Sequence, residues 1–308
     1  MVTLWAGILL AVTAQPAQPG KSLTLQARAA LRKGVEYLVS ISTGGGYLWE
    51  YTVDLKQRWG EGEATDSQIW VQPPGTPTIG EAFLRAYEST GDPYFLRAAE
   101  AAGDALVWGQ LQCGGWAYFI DFSEEGKRKF FYAHLESTTH ADRKKLRNYG
   151  TLDDNTSQSA ISFLIRLSLI SSDETFKRAA QRGLKWLVDA QAQNGAWPQV
   201  YPPTGSGYWN FYTFNDGAIN DAIRVLLEAW RAYGDSTCLQ AAKRGGDFIL
   251  LSQGPPEQPA WAQQYDFDLK PAWARKFEPA AWCSAVVARN IRTLVDLYLE
   301  TGEEKYLK

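Results

Sequence analysis

The chain repeats itself, and a helical unit that cannot bury its own apolar face must stack on copies of itself. Four segments carry one signature: Ala29-Ala30-Leu-Arg-Lys-Gly34, Ala101-Ala102-Gly103, Ala179-Ala180-Gln-Arg-Gly183 and Ala241-Ala242-Lys-Arg-Gly245. Each runs on to an apolar pair, at Tyr37-Leu38, Leu106-Val107, Trp186-Leu187 and Phe248-Ile249. After the last three pairs comes a Gln (Gln110, Gln191, Gln253) and then a Trp (Trp116, Trp197, Trp261). A second kind of amphipathic stretch lies between, around Phe83-Leu84 and Tyr87, from Ile161 to Leu167, from Ile219 to Trp230, and from Ala285 to Tyr298. Several stop at Gly-Asp or Thr-Gly, so the order is helix, turn, helix, loop.

This order predicts an all-α fold. The first Ala-Ala-Gly helix, near Leu25 to Ile41, has no preceding partner, and the last helix, from about Trp282 to Leu299, has no following one. Joining them closes four helical hairpins, N- to C-terminus, into an α/α toroid with long irregular loops at one mouth. Segment 50–80 is rich in Gly, Pro and Trp without a helical period and reads as a long ordered loop. Segment 121–150 is highly charged, with Lys127-Arg-Lys129, His134, His140, Arg143-Lys-Lys145 and Arg147. It reads as a solvated insertion or as a cationic flap over an anionic substrate.

Residues 1–19 begin with a short apolar run ending in small residues, followed by a Gln- and Pro-rich stretch, the pattern of a signal peptide and linker. They lack a basic start. Residues 20–308 then form one domain of a secreted or periplasmic protein, expected to be monomeric, with no later segment apolar enough to enter a bilayer. A net charge of -3 argues against a nucleic-acid binder. Thirteen Trp suit both a core and sugar-binding platforms. Cys113, Cys238 and Cys283 show no metal-ligand spacing and read as buried free thiols, with one disulfide open to an exported chain.

Polar residues gather where loops start the second kind of helix: Thr151-Leu-Asp153-Asp154-Asn155, Thr213-Phe-Asn215-Asp216-Gly217 and Thr76-Pro-Thr-Ile-Gly80-Glu81. Taken singly, such residues are ordinary N-caps. Taken together at one mouth, Asp153, Asp154 and Asp216 form a set of hard oxygen ligands suited to Ca²⁺. Arg275 sits between Trp273 and Phe277 in the last long loop, where a guanidinium can grip a planar carboxylate. Arg289 and Arg292 follow in the final helix.

Four segments in order, 151–158, 195–202 (Gly-Ala-Trp-Pro-Gln-Val-Tyr-Pro), 214–218 (Phe-Asn-Asp-Gly-Ala) and 261–275 (Trp-Ala-Gln-Gln-Tyr-Asp to Pro-Ala-Trp-Ala-Arg), resemble the motif series of the polysaccharide lyase family 10 pectate lyases. The resemblance implies β-elimination of polygalacturonate with Ca²⁺ bridging enzyme and substrate carboxylates. It makes Asp153 and Asp216 the metal-side carboxylates, with Asp154 or Asn155 close by, and gives Arg275 a catalytic or carboxylate-binding role. Arg289 becomes the nearest candidate for the base, without the family's glycine-flanked setting. Asn155, Trp273 and Trp197 complete the substrate-binding candidates. Two other readings stand beside this one. A non-catalytic carbohydrate-binding toroid would keep the fold and lose the chemistry. A triterpene cyclase is suggested by the Gln and Trp spacing over 182–197, but such enzymes need an Asp-x-Asp-Asp acid motif that Thr151-Leu-Asp-Asp does not supply.

Overall fold

The structure, a computed structural model, describes residues 21–135 and 145–307. The leader expected over 1–19, and His140, Arg143 and Lys144, lie outside them. Among the described residues the long helices are α1 (Lys21–Ile41), α2 (Thr76–Thr90), α3 (Pro93–Gly109), α5 (Thr156–Ile170), α6 (Glu174–Asp189), α7 (Ala218–Tyr233), α8 (Ser236–Leu251) and α9 (Ser284–Thr301), with a short α4 (Glu124–Lys129). Three hairpins are explicit: α2 packs on α3, α5 on α6 and α7 on α8. Inner helices α2, α5, α7 and α9 touch in sequence, and outer helices α1, α3, α6 and α8 do the same. The architecture is the helical toroid that the repeats predict.

Each explicit hairpin turns in the same way. Asp92, Asp173 and Asp235 cap the outer helices, accepting from the amides of Tyr94, Thr175 and Thr237 at 2.9, 2.8 and 2.8 Å. The recurring spacing of Gly, Gln and Trp along the repeat is structural. The indoles of Trp116, Trp197 and Trp261 donate to the carbonyls of Leu106, Leu187 and Ile249 at 2.8, 2.8 and 2.7 Å, tying each loop to the end of its outer helix. Gln110 and Gln191 reach from one repeat to the next, donating to the carbonyls of Ala179 and Ala241. On α8 a Cβ added at Gly245 would lie 2.8 Å from Trp197 and 2.7 Å from Ile223, so this helix packs closely only because the position is glycine.

The two helices expected to meet at the seam make their main contacts elsewhere: α1 with α2 and α3, and α9 with α7 and α8. Both present apolar residues to solvent, among them Leu25 and Tyr37 on α1 and Ile291 and Leu299 on α9. Segment 50–80 is a loop through short strands until α2 starts at Thr76. The charged segment is less solvated than its composition predicts. Phe130 and Tyr132 are buried in the core cluster, Ser123 caps α4, and Arg147 stacks 4.4 Å from the Tyr149 ring. The three cysteines are free thiols. No helix among the described residues is long and apolar enough to cross a membrane.

Candidate active site at the toroid mouth

Two loop-to-helix junctions are built alike. Strand β1 (Gly150–Thr151) pairs antiparallel with β2 (Val200–Tyr201), and β3 (Tyr212–Thr213) pairs in the same way with β4 (Gln264–Tyr265). In each, the chain then turns through Asp153-Asp154-Asn155 or Asn215-Asp216-Gly217 into α5 or α7. Asp154 and Asp216 both have φ 49°, and Asn155 and Gly217 follow at 58° and 77°. Left-handed backbone costs an ordinary side chain about 1 kcal/mol or more, and Asp and Asn bear it best. The expected capping role is overturned: neither α5 nor α7 has a side-chain N-cap bond. The carboxylates are left for other use.

Asp153, Asp154 and Asp216 each offer a carboxylate oxygen within 4.8 Å of the others, half-buried at the mouth. Asp153 is held from both sides, Oδ2 accepting from the Tyr118 hydroxyl and Oδ1 from Gln199 Nε2, each at 2.6 Å. Asp154 Oδ2 accepts from Gln72 Nε2, and Asp216 Oδ2 from Asn215 Nδ2, both at 2.7 Å. Burial, then the charges of Asp153 and Asp216, push the Asp154 carboxyl up to about 6. Burial and Asp153 also raise Asp216, against the opposing pull of Arg275 and Arg289. Three carboxylates this close keep a surplus of negative charge that a cation would relieve. An all-oxygen donor set fits Ca²⁺, and among the described residues Oδ1 of Asp154 and of Asp216 carries no hydrogen bond.

On the cationic side, Arg275 donates from Nε and Nη2 to the two oxygens of Glu278, at 2.7 and 2.6 Å, and lies 4.9 Å over the Phe277 ring. That pairing raises the Arg275 guanidinium further and lowers the Glu278 carboxyl. Arg289 on α9 is exposed and forms no ion pair within 4 Å among the described residues. Its Nη1 lies 3.1 Å from where a Cβ of Gly217 would stand. Asp221 Oδ2 lies closer still, at 2.8 Å, so a side chain at 217, where the preceding repeat has Asn155, would press on both groups.

A family model for pectic acid lyase matches residues 110–305. The chain belongs to that family. Comparison with curated proteins gives no match. Among solved structures, the family 10 polysaccharide lyase of Cellvibrio cellulosa aligns at 21% identity and TM-score 0.50, over 71% of this chain and 65% of that one. The chain thus spans less than two thirds of that enzyme. A D-mannose isomerase aligns at 15% identity and TM-score 0.61, over 96% of this chain and 69% of that one. An α-1,6-mannanase variant of Salegentibacter sp. HEL1_6, in complex with α-1,6-mannotriose, aligns at 13% and 0.51, over 92% and 66%. At these identities the structural matches speak for the fold alone.

For a pectic acid lyase family member, the expected site residues divide clearly. Asp153, Asp154 and Asp216 come together, with Arg275 and Arg289 near enough for their charges to act on Asp216. Asn155 instead turns to the ring's interior. Its Oδ1 accepts from Arg224 Nη2 at 3.2 Å, and it lines a central cavity of about 660 Å³. Trp273 stands 59% exposed on the loop carrying Arg275. Trp197 is a correction: it is 0% exposed, its indole is spent on Leu187, and no face is left for a sugar. The third junction also differs. Thr76 is buried against Tyr47 and Glu81 pairs with Arg166, while Gln72, four residues before the helix, is what reaches Asp154. The reading of single motifs missed Tyr118, Gln199 and Gln263, which sit two residues after the repeat tryptophans and donate to Asp153, Asp153 and Asn215. That recurring offset was the available signal.

Proposed function

We propose that the chain is a pectate lyase, cleaving polygalacturonate by β-elimination with Ca²⁺ held by Asp153, Asp154 and Asp216. The observation that carries this reading is the trio of carboxylates at one mouth, facing two arginines in different states. The proton at C5 of a galacturonate is α to a carboxylate and is very weakly acidic while that carboxylate is a free anion. Ca²⁺ held by Asp153, Asp154 and Asp216 would supply positive charge near this carboxylate, easing proton loss from C5. Arg275 serves as the carboxylate clamp. Its ion pair with Glu278 favours the charged form, so it is a poor base and a good fixed donor. Arg289, which makes no ion pair within 4 Å among the described residues, is assigned the removal of the C5 proton, taking it as the neutral guanidine and passing it to solvent afterwards. As the C4–O bond breaks, a C4–C5 double bond forms and the departing oxygen takes a proton from solvent. Trp273 offers an exposed face to a neighbouring sugar ring, and Asn155 with Arg224 marks the inner limit of the site. An exported location, as the leader suggests, suits a polymer substrate.

The decisive measurement is ultraviolet absorbance of the unsaturated product from polygalacturonate, with Ca²⁺ and with chelator. A Ca²⁺-dependent rise supports the proposal. Retained binding of the polymer without absorbance would replace it with the carbohydrate-binding reading.

A further inference from the structure

The loop carrying Arg275 contains an acid that the lyase chemistry itself does not call for. Glu278 is 7% exposed, and every bond it makes either holds Arg275 or leads towards the aspartates. Its Oε2 accepts from the Arg275 side chain at 2.7 Å and from the Arg275 backbone amide at 3.0 Å. Its Oε1 accepts from Arg275 Nη2 at 2.6 Å and from Asn215 Nδ2 at 3.1 Å. The backbone closes the same turn, with Glu278 N donating to Arg275 O at 2.8 Å and Ala274 N to Glu278 O at 3.1 Å. Asn215 shares its amide between Glu278 and Asp216, and is itself fixed by Gln263 at 2.7 Å. An unbroken chain of hydrogen bonds therefore runs from Arg275 through Glu278 and Asn215 to Asp216.

An arginine on a loop, half-exposed, would ordinarily sample many rotamers. A bidentate carboxylate on one edge, with the Phe277 ring below, fixes the guanidinium plane and leaves its other edge for an incoming carboxylate. The pair is close to neutral, so Glu278 adds no attraction for an anionic sugar; it contributes direction. Asn215 then sets that direction in register with Asp216.

We infer that Glu278 is a positioning residue, which aims Arg275 at the substrate carboxylate in register with the aspartate cluster. The inference rests on the pectate lyase reading. Its test is a double-mutant cycle on Arg275→Ala and Glu278→Gln, read as the dissociation constant of trigalacturonate by calorimetry in Ca²⁺ and as kcat and KM on polygalacturonate. Each single substitution should weaken trigalacturonate by about tenfold or more, as loss of a charge-assisted hydrogen bond does, with the kinetic loss mostly in KM. In the Arg275→Ala background Glu278→Gln should change binding by less than about twofold, because Glu278 acts only through Arg275. Glu278→Asp keeps the buried charge but shortens its reach, and should give the same pattern with a smaller loss; it replaces Glu278→Gln should that variant fail to fold. An equal loss with and without Arg275, or no loss in either variant, overturns the inference. Trigalacturonate binding that obeys the cycle without any product absorbance would sink the lyase and leave the positioning intact. No binding by the unaltered chain would sink both.

Discussion

Asp154 and Asp216 occupy one structural position in successive repeats, both at φ 49°, each opening an inner helix that no side chain caps. The outer helices show the ordinary alternative, with Asp92, Asp173 and Asp235 capping in extended backbone. A toroid can thus spend aspartates on helix ends wherever stability asks for them. At the mouth it does not, and it accepts left-handed backbone to place carboxylates side by side. The first expected outcome concerns the cation. Ca²⁺ at a hundred times its dissociation constant should stabilise the folded chain by about 2.7 kcal/mol, a Tm rise of roughly 5 °C. Chelator should remove the rise, and Asp216→Ala should abolish it. A rise that survives in Asp216→Ala would place the ion elsewhere.

The same carboxylates set a pH dependence in the cation-free protein. Burial and its neighbours raise Asp154 from 3.8 to about 6. A raised carboxyl means the folded state binds more protons than the unfolded chain between those values. Stability therefore falls as pH rises through this window, and the penalty is complete above about pH 6. Asp154→Asn should stabilise the chelated protein at pH 7.5 by about 1 kcal/mol, after discounting a half-exposed site for solvent screening, and by nothing below pH 4. Urea denaturation at pH 4, 5.5 and 7.5 reads this directly. An advantage that grew towards acid pH would have the wrong sign.

The two arginines should fail differently. Arg289→Ala should lower kcat by about 10²- to 10⁴-fold, the range of a lost general base, while trigalacturonate binds within about threefold of normal. Arg275→Ala should act mainly through KM. Calorimetry beside steady-state kinetics separates them. A normal kcat in Arg289→Ala would return the base to another group.

How much of this was legible in the sequence follows from what each residue is fixed by. The helical ring and the trio Asp153, Asp154 and Asp216 were legible because repetition places corresponding residues at corresponding ends of stacked units. The left-handed turn at Asp154 was hidden, since Asp before a helix is as common in a cap. Glu278 was also hidden, although it stands three residues from Arg275, because nothing in spacing tells a buried clamp from a surface pair. The seam was the weakest part: the expected join of the first and last helices would cover apolar residues such as Leu25 and Ile291, yet both are exposed.

Trp197 and Trp273 make opposite expectations, and the contrast tests whether the repeat tryptophans are architecture. Trp197 fills the space that Gly245 leaves and satisfies the Leu187 carbonyl. Trp197→Ala should cost about 3–5 kcal/mol of stability through the cavity and lost burial. Trp197→Phe should cost about 1–3 kcal/mol, because the carbonyl then stays buried without a donor. In either variant the folded fraction should bind trigalacturonate normally. Trp273, exposed beside Arg275, should behave in reverse. Trp273→Ala should leave stability within about 0.5 kcal/mol, as surface substitutions do, and weaken trigalacturonate instead. Urea midpoints and calorimetry on the same preparations decide it: a Trp197 variant that stays fully stable but loses sugar affinity would return that residue to the site.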